Sequence, residues 1–194
     1  MNKHSRLLFA LLVVGSLSTV SAAVVDFNSY SPLNTFAALV STGGLDFTND
    51  ATYMYVWDGS SPNGNGTPAL ILAGFSSGDQ MAITQTGGGA FDLNSFDMAI
   101  SWFSGAISTT VDVTAFFLGG GSSAQTLTLI PGLQTYNLNL TDVTRVNVTE
   151  LASNDGYWVM DNVTYNAVAV PEPASLSLIG VGLIGLGLRF RRRK

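Results

Sequence analysis

Cysteine is absent from all 194 residues, and the one histidine, His4, stands at the very start of the chain. Without cysteine there is no disulfide, thiolate nucleophile or thiolate metal site, so an exported form must rely on its core or on a bound metal. Confining histidine to the N-terminus excludes Ser-His-Asp and Cys-His catalysis, His-ligated zinc and imidazole acid–base chemistry from everything downstream. Positive charge is almost as scarce. Of the eight lysines and arginines, two fall in the first six residues and five in the last six, leaving Arg145 alone between them. Residues 24–169 hold no lysine, which removes Schiff-base and Ser-Lys chemistry. That interval also holds twelve of the thirteen acidic residues; set against one arginine they give −11, where the whole chain shows −5. Such a surface repels nucleic acid and anionic headgroups and attracts cations. Nucleic-acid partners are excluded, and carboxylates are the only catalytic groups left.

What is present begins at the two ends. Lys3, His4 and Arg6 precede the apolar run Leu7 to Val14, and Ser21-Ala22-Ala23 supplies small residues for cleavage. Residues 1–23 read as a secretory signal peptide, cut after Ala22 or Ala23. At the other end, Val170-Pro171-Glu172-Pro173 leads into an apolar stretch, Ala174 to Leu188, closed by Arg189-Phe190-Arg191-Arg192-Arg193-Lys194. A short transmembrane helix over 174–190, with 189–194 as a basic cytoplasmic tail, follows from that order. The stretch Ala174 to Leu188 rises only about 22 Å against a hydrocarbon core of about 30 Å, so Phe190 and snorkelling arginines must cover the shortfall.

The C-terminal order of parts resembles the PEP-CTERM sorting signal: Val170, Pro171, Glu172 and Pro173, a Gly/Leu-rich span, then Arg189, Arg191, Arg192 and Arg193 near the terminus. The resemblance covers roughly the last eighth of the chain. It implies export by a Gram-negative bacterium, anchorage in the membrane through the C-terminal helix, and cleavage near Pro-Glu-Pro by a membrane-embedded exosortase. It further implies association with extracellular polysaccharide, biofilm or cell surface, and it brings no catalytic residue. A short membrane helix then makes sense as a temporary hold.

Residues 24–169 form one domain's length of chain. Alternation is clear in Val111 to Phe117, Gln125 to Leu129, Tyr136 to Leu140 and Arg145 to Thr149. Further strands are predicted at Val24 to Phe27, Tyr53 to Trp57, Ala69 to Leu72, Met81 to Thr84, Phe96 to Phe103 and Tyr157 to Tyr165. Thr42-Gly43-Gly44, Asp58 to Pro68, Gly87-Gly88-Gly89, Gly119-Gly120-Gly121 and Pro131-Gly132 separate them. About ten short strands with glycine loops predict an all-β, jelly-roll-like antiparallel β-sandwich, a fold that many PEP-CTERM ectodomains resemble.

Three kinds of site are open to such a domain. Asp161-Asn162-Val163, together with Asp26 and Asn28, resembles the terminal stretch through which jelly-roll carbohydrate-binding modules hold a structural calcium; the plain alternative turns Asp161 outward into water. The loop Asp58 to Gly66 lacks the acidic spacing and closing glutamate of an EF-hand. Tyr53, Tyr55 and Trp57 share one strand face and suit a sugar-stacking platform, unless they fill the core. Asp92 with Asp97, or Glu150 with Asp155, could serve a carboxylate glycosidase. The four Asn-X-Thr sequons are chance products of an Asn/Thr-rich domain, and no fixed-period threonine array suggests ice binding. The expectation is a non-enzymatic surface or matrix protein, with a carbohydrate-binding module and then a glycosidase as alternatives.

Overall fold

Alternating strands broken by glycine turns bury their apolar faces most completely by packing sheet on sheet. The computed structural model of the protein describes residues 22–49, 53–60, 65–73, 78–101, 108–151 and 157–167, and these contain strands and turns without a helix. The strands are β1 (Ala22–Val25), β2 (Leu39–Thr42), β3 (Leu45–Asn49), β4 (Tyr53–Trp57), β5 (Ala69–Ala73) and β6 (Gln80–Gln85). They continue with β7 (Phe91–Ile100), β8 (Thr109–Phe117), β9 (Ser122–Leu129), β10 (Gln134–Glu150) and β11 (Tyr157–Ala167). Every pairing is antiparallel. The jelly-roll-like antiparallel β-sandwich expected from the sequence is the fold.

The 17-residue β10 joins the two layers. Its first half pairs with β7, from Gln134↔Met98 to Val143↔Phe91, while its second half lies between β6 and β8. The register shifts around Leu140, and left-handed Asn139 and Asp142 flank that irregularity. One layer runs β9-β8-β10-β6-β3-β2; the other runs β10-β7-β11-β5-β4, with β1 added on β11. Val40, Phe47, Ile83, Val113, Val146 and Val148 of the first layer face Met54, Leu70, Leu72, Met98, Trp158 and Met160 of the second. Each such side chain, fully buried, contributes about 1.5–3 kcal/mol of transfer free energy.

The structure departs from the sequence expectation in two places. Gly43-Gly44, expected only as a break, is the turn of a β2–β3 hairpin whose strands were not anticipated. Both glycines have positive φ, the Tyr165 hydroxyl donates to the Gly43 carbonyl at 2.7 Å, and a Cβ on Gly44 would collide with that hydroxyl. Tyr136 to Leu140 and Arg145 to Thr149 are parts of one strand, not two. Ala22 and Ala23, the expected end of the signal peptide, open β1 opposite Asn166 and Tyr165. The rest of the expected signal peptide, Trp102, Phe103, Asp155 and the whole C-terminal segment from Val170, with the helix expected over 174–190, lie outside the described residues. Among the described residues no helix is long and apolar enough to cross a membrane.

Candidate functional site

Four strands of the second layer are apolar on both faces along part of their length. Met54, Val56, Leu70, Leu72, Met98, Ile100, Trp158 and Met160 point into the interlayer core, while Tyr55, Ala69, Ile71, Ala99 and Val159 form a separate cluster on the outer face. Register sets these outer residues in rows across the sheet. Ala99, Val159, Ile71 and Tyr55 make one row on β7, β11, β5 and β4; one step along, Asp97 and Asp161 line up with Ala69 and Trp57. Leu133, Trp57 and Tyr157 pack against the cluster as partly buried rims. The centre of this outer cluster is therefore apolar and itself buried, and its rim carries the aromatic rings of Trp57 and Tyr157.

The aromatic wall extends beyond β4. Phe36 lies 4.6 Å from Tyr53 and 5.4 Å from Tyr55 by ring centroids, and Tyr55 lies 5.9 Å from Trp57. Backbone bonds from Asn34 N to Val56 O and from Ala37 N to Met54 O, each 2.8 Å, lay the segment around Phe36 along the β4 edge. Phe36 is 64% exposed and Tyr53 36%, whereas Tyr55 is buried. Burial pushes the Tyr55 hydroxyl above its ordinary value, and the nearby Tyr157 adds to the rise. The Trp57 indole donates to Ser60 Oγ at 3.1 Å, which helps fix the ring at the sheet edge.

Carboxylates and amides occupy the row beside this wall. Asp161 sits at a bulge where β11 exchanges β5 for β1 as its neighbour, with Asn162 in the left-handed region at φ 49°. Its carboxylate accepts hydrogen bonds from Asn65 Nδ2 at 2.8 Å, Thr67 Oγ1 at 3.3 Å and the Asn162 backbone N–H at 2.8 Å. Asp97, the direct cross-strand partner of Asp161, accepts from Thr135 Oγ1 at 2.6 Å and Asn162 Nδ2 at 2.9 Å. Asp161 is fully buried, and burial raises its carboxyl above the ordinary value; the three hydrogen bonds oppose that rise and Asp97 reinforces it.

Tyr53, Tyr55 and Trp57 do alternate onto one face, and the structure adds Phe36 and Tyr157 to them. Tyr157 stands in the sequence as the start of the predicted strand Tyr157 to Tyr165, whose next residue, Trp158, turns into the core. Asp161 does not face water as simple alternation would have it, because the bulge and the 65–67 segment enclose it. Asp26 and Asn28 lie just beyond β1, close in register to Asn162, and hydrogen-bond to each other. The groups around Asp161 turn N–H and O–H donors toward it, whereas calcium requires oxygen lone pairs there. As oriented here, those groups satisfy the carboxylate with hydrogen bonds instead of presenting oxygens beside it. Among the described residues no group of three or more acidic, histidine or cysteine side chains could hold a metal. Of the carboxylates considered for hydrolysis, Asp92 takes the Asp142 backbone N–H, and Glu150 is buried against the Thr109 hydroxyl.

This architecture defines an all-β sandwich with one aromatic and acidic outer face. The arabinose-bound MgGH51 α-L-arabinofuranosidase superposes with TM-score 0.51 at 15% identity over 76% of this chain and 26% of that one. An exo-β-agarase gives 0.50 at 14% identity over 79% of this chain and 26% of the agarase. The chain thus spans about a quarter of the length of either, and the likeness concerns the fold alone. A family 29 carbohydrate-binding module matches over 80% of this chain and 97% of its own at TM-score 0.44 and 12% identity. None of the curated proteins matches. Residues 169–193 match the PEP-CTERM protein-sorting motif. The chain thus carries a PEP-CTERM sorting motif at its C-terminal end, which indicates an exported, exosortase-sorted protein.

Proposed function

We propose that the ectodomain is a non-enzymatic polysaccharide-binding module, carried to the surface or extracellular matrix by its PEP-CTERM signal and released from its membrane helix by exosortase. One observation carries this reading: exposed Phe36 and Tyr53 and half-buried Trp57 and Tyr157 rim the outer sheet face, around a buried centre of Tyr55, Ala69, Ile71, Ala99 and Val159 and beside Asp97 and Asp161. Aromatic faces bury the apolar faces of pyranose rings, and flanking carboxylates, amides and hydroxyls hydrogen-bond the sugar hydroxyls. Asp97, Asn162, Thr135 and Asn65 supply those groups beside the wall, while buried Asp161 holds the 65–67 segment in position.

Hydrolysis fits poorly. The paired carboxylates are Asp97 and Asp161, and the latter is closed off from solvent with both oxygens engaged. A general acid must reach the glycosidic oxygen. The test is binding of the mature protein to a polysaccharide panel, with Trp57→Ala as the probe. Loss of binding with an unchanged melting midpoint supports the module. Absence of binding across the panel points instead to a purely structural matrix role.

A further inference from the structure

A domain with twelve acidic residues and one arginine offers that arginine many chances of an ion pair. Arg145 forms none among the described residues. Its Nε donates to Asn147 Oδ1 at 2.6 Å, and Asn147 Nδ2 in turn donates to Gln80 Oε1 at 3.0 Å. Asn147 is nearly buried, so this amide relay holds the guanidinium on the outer face of the first layer. That face lies on the opposite side of the sandwich from the aromatic wall.

Arg145 there lines a cavity of about 140 Å³ with Thr48, Asn49, Gln80 and Ala82. Ala82 is the cross-strand partner of both Thr48 and Asn147, and its methyl group leaves the space open between them. No acidic side chain lines the cavity. The nearby Asp46, opposite Thr84, is engaged by the Ser41 and Thr86 hydroxyls at 2.7 Å each. Asp112, on β8, takes the Thr126 hydroxyl. With Nε engaged, the guanidinium keeps its remaining N–H donors, whose fork matches a planar carboxylate. Amide and hydroxyl neighbours suit the ring hydroxyls beside such a carboxylate. Among the described residues, Arg145 is the one charged side chain that lines the cavity, which makes it a local cationic spot.

We propose that Arg145 and this cavity form a second binding site, independent of the aromatic face, that receives the carboxylate of a uronic acid residue in an acidic polysaccharide. The cavity takes a carboxylate and its neighbouring atoms, with the rest of the sugar outside. A single arginine in a domain of charge −11 suits a glycan whose uronates are spaced apart rather than contiguous.

The experiment titrates the mature protein with methyl β-glucuronide and, in parallel, methyl β-glucoside, following amide shifts by NMR. The glucuronide should shift resonances around Arg145, Asn147 and Ala82, and the glucoside should not. Arg145→Gln should weaken glucuronide binding at least tenfold, and Arg145→Lys should fail to restore it fully because an ammonium lacks the fork. Ala82→Leu fills the cavity while keeping the charge, and should abolish binding even if Arg145→Gln is poorly folded. Trp57→Ala should leave the glucuronide affinity unchanged, which separates this site from the aromatic face. Equal binding of both sugars, or full glucuronide affinity in Ala82→Leu, would overturn the proposal.

Discussion

Replacing Asp161 by alanine removes the acceptor of the Asn162 amide and of Asn65 Nδ2, together with a longer contact from Thr67 Oγ1, whose hydroxyl keeps Asn65 Oδ1 as its nearer acceptor. A buried donor left unpaired costs about 1–3 kcal/mol, and a donor able to turn to water loses about 0.5–1.5 kcal/mol. Asn65 is exposed and Thr67 half-buried, so those two belong to the second class. Removing a buried carboxylate beside Asp97 offsets part of the loss, leaving a net destabilisation of about 1–3 kcal/mol. Asp161→Asn keeps one acceptor oxygen in a side chain of the same shape and sheds the charge, so it should fall within about 1 kcal/mol of the parent at neutral pH. The two variants also separate by pH. Burial raises the folded-state value of Asp161 above the ordinary 3.8, so the folded protein holds this proton more tightly than the unfolded chain. Its contribution is fully present below the unfolded value and is lost as pH rises through the raised folded value. The stability of Asp161→Asn relative to the parent should therefore increase as pH rises from about 3.5 to 7. Urea unfolding followed by tryptophan fluorescence at several pH values measures the difference. If the asparagine variant is as unstable as the alanine variant, or its offset is independent of pH, the picture of Asp161 as a buried clasp is wrong.

Other outcomes follow from the same geometry. A Cβ at Gly59, where φ is +84°, would lie 2.5 Å from the Thr67 carbonyl oxygen, while Gly88 has the same φ and open space around it. Gly59→Ala should thus cost about 2–3 kcal/mol and Gly88→Ala about 1 kcal/mol by urea unfolding; equal losses would show that the 58–60 and 65–67 segments do not pack together. Calcium against chelator should leave the melting midpoint unchanged, and a rise with calcium would restore Asp26, Asn28 and Asp161 as ligands. Mature protein recovered from cells should lack Arg189 to Lys194 by intact mass; finding them would make the tail a permanent anchor.

Much of the fold was legible because the strands that form it alternate. The predicted strand Tyr53 to Trp57 matches β4 residue for residue. β2 and β3 were missed because strands of four and five residues around a glycine pair carry too little periodicity to distinguish from loop. β10 appeared as two strands because its irregularities at Asn139 and Asp142 interrupt the alternation, and only the sheet reveals that the chain continues through them. The site was legible in part. The aromatic face of β4 could be read from spacing, but the contribution of Phe36 depends on loop bonds to β4, and the enclosure of Asp161 depends on Asn65, 96 residues earlier in the chain. One sequence signal did point to a second buried face. Ala69 to Leu72 and Tyr157 to Met160 are continuously apolar, as strands covered on both sides tend to be.

The most direct test of polysaccharide binding is affinity electrophoresis of the mature protein through gels containing extracellular polysaccharides, alongside Trp57→Ala. The parent should be retarded by at least one polysaccharide, and Trp57→Ala should bind it about tenfold or more weakly, equivalent to about 1.4 kcal/mol, while melting at the same temperature. Equal retardation of a folded Trp57→Ala protein, or no retardation of the parent by any polysaccharide, would contradict the assignment of the aromatic face as a glycan site.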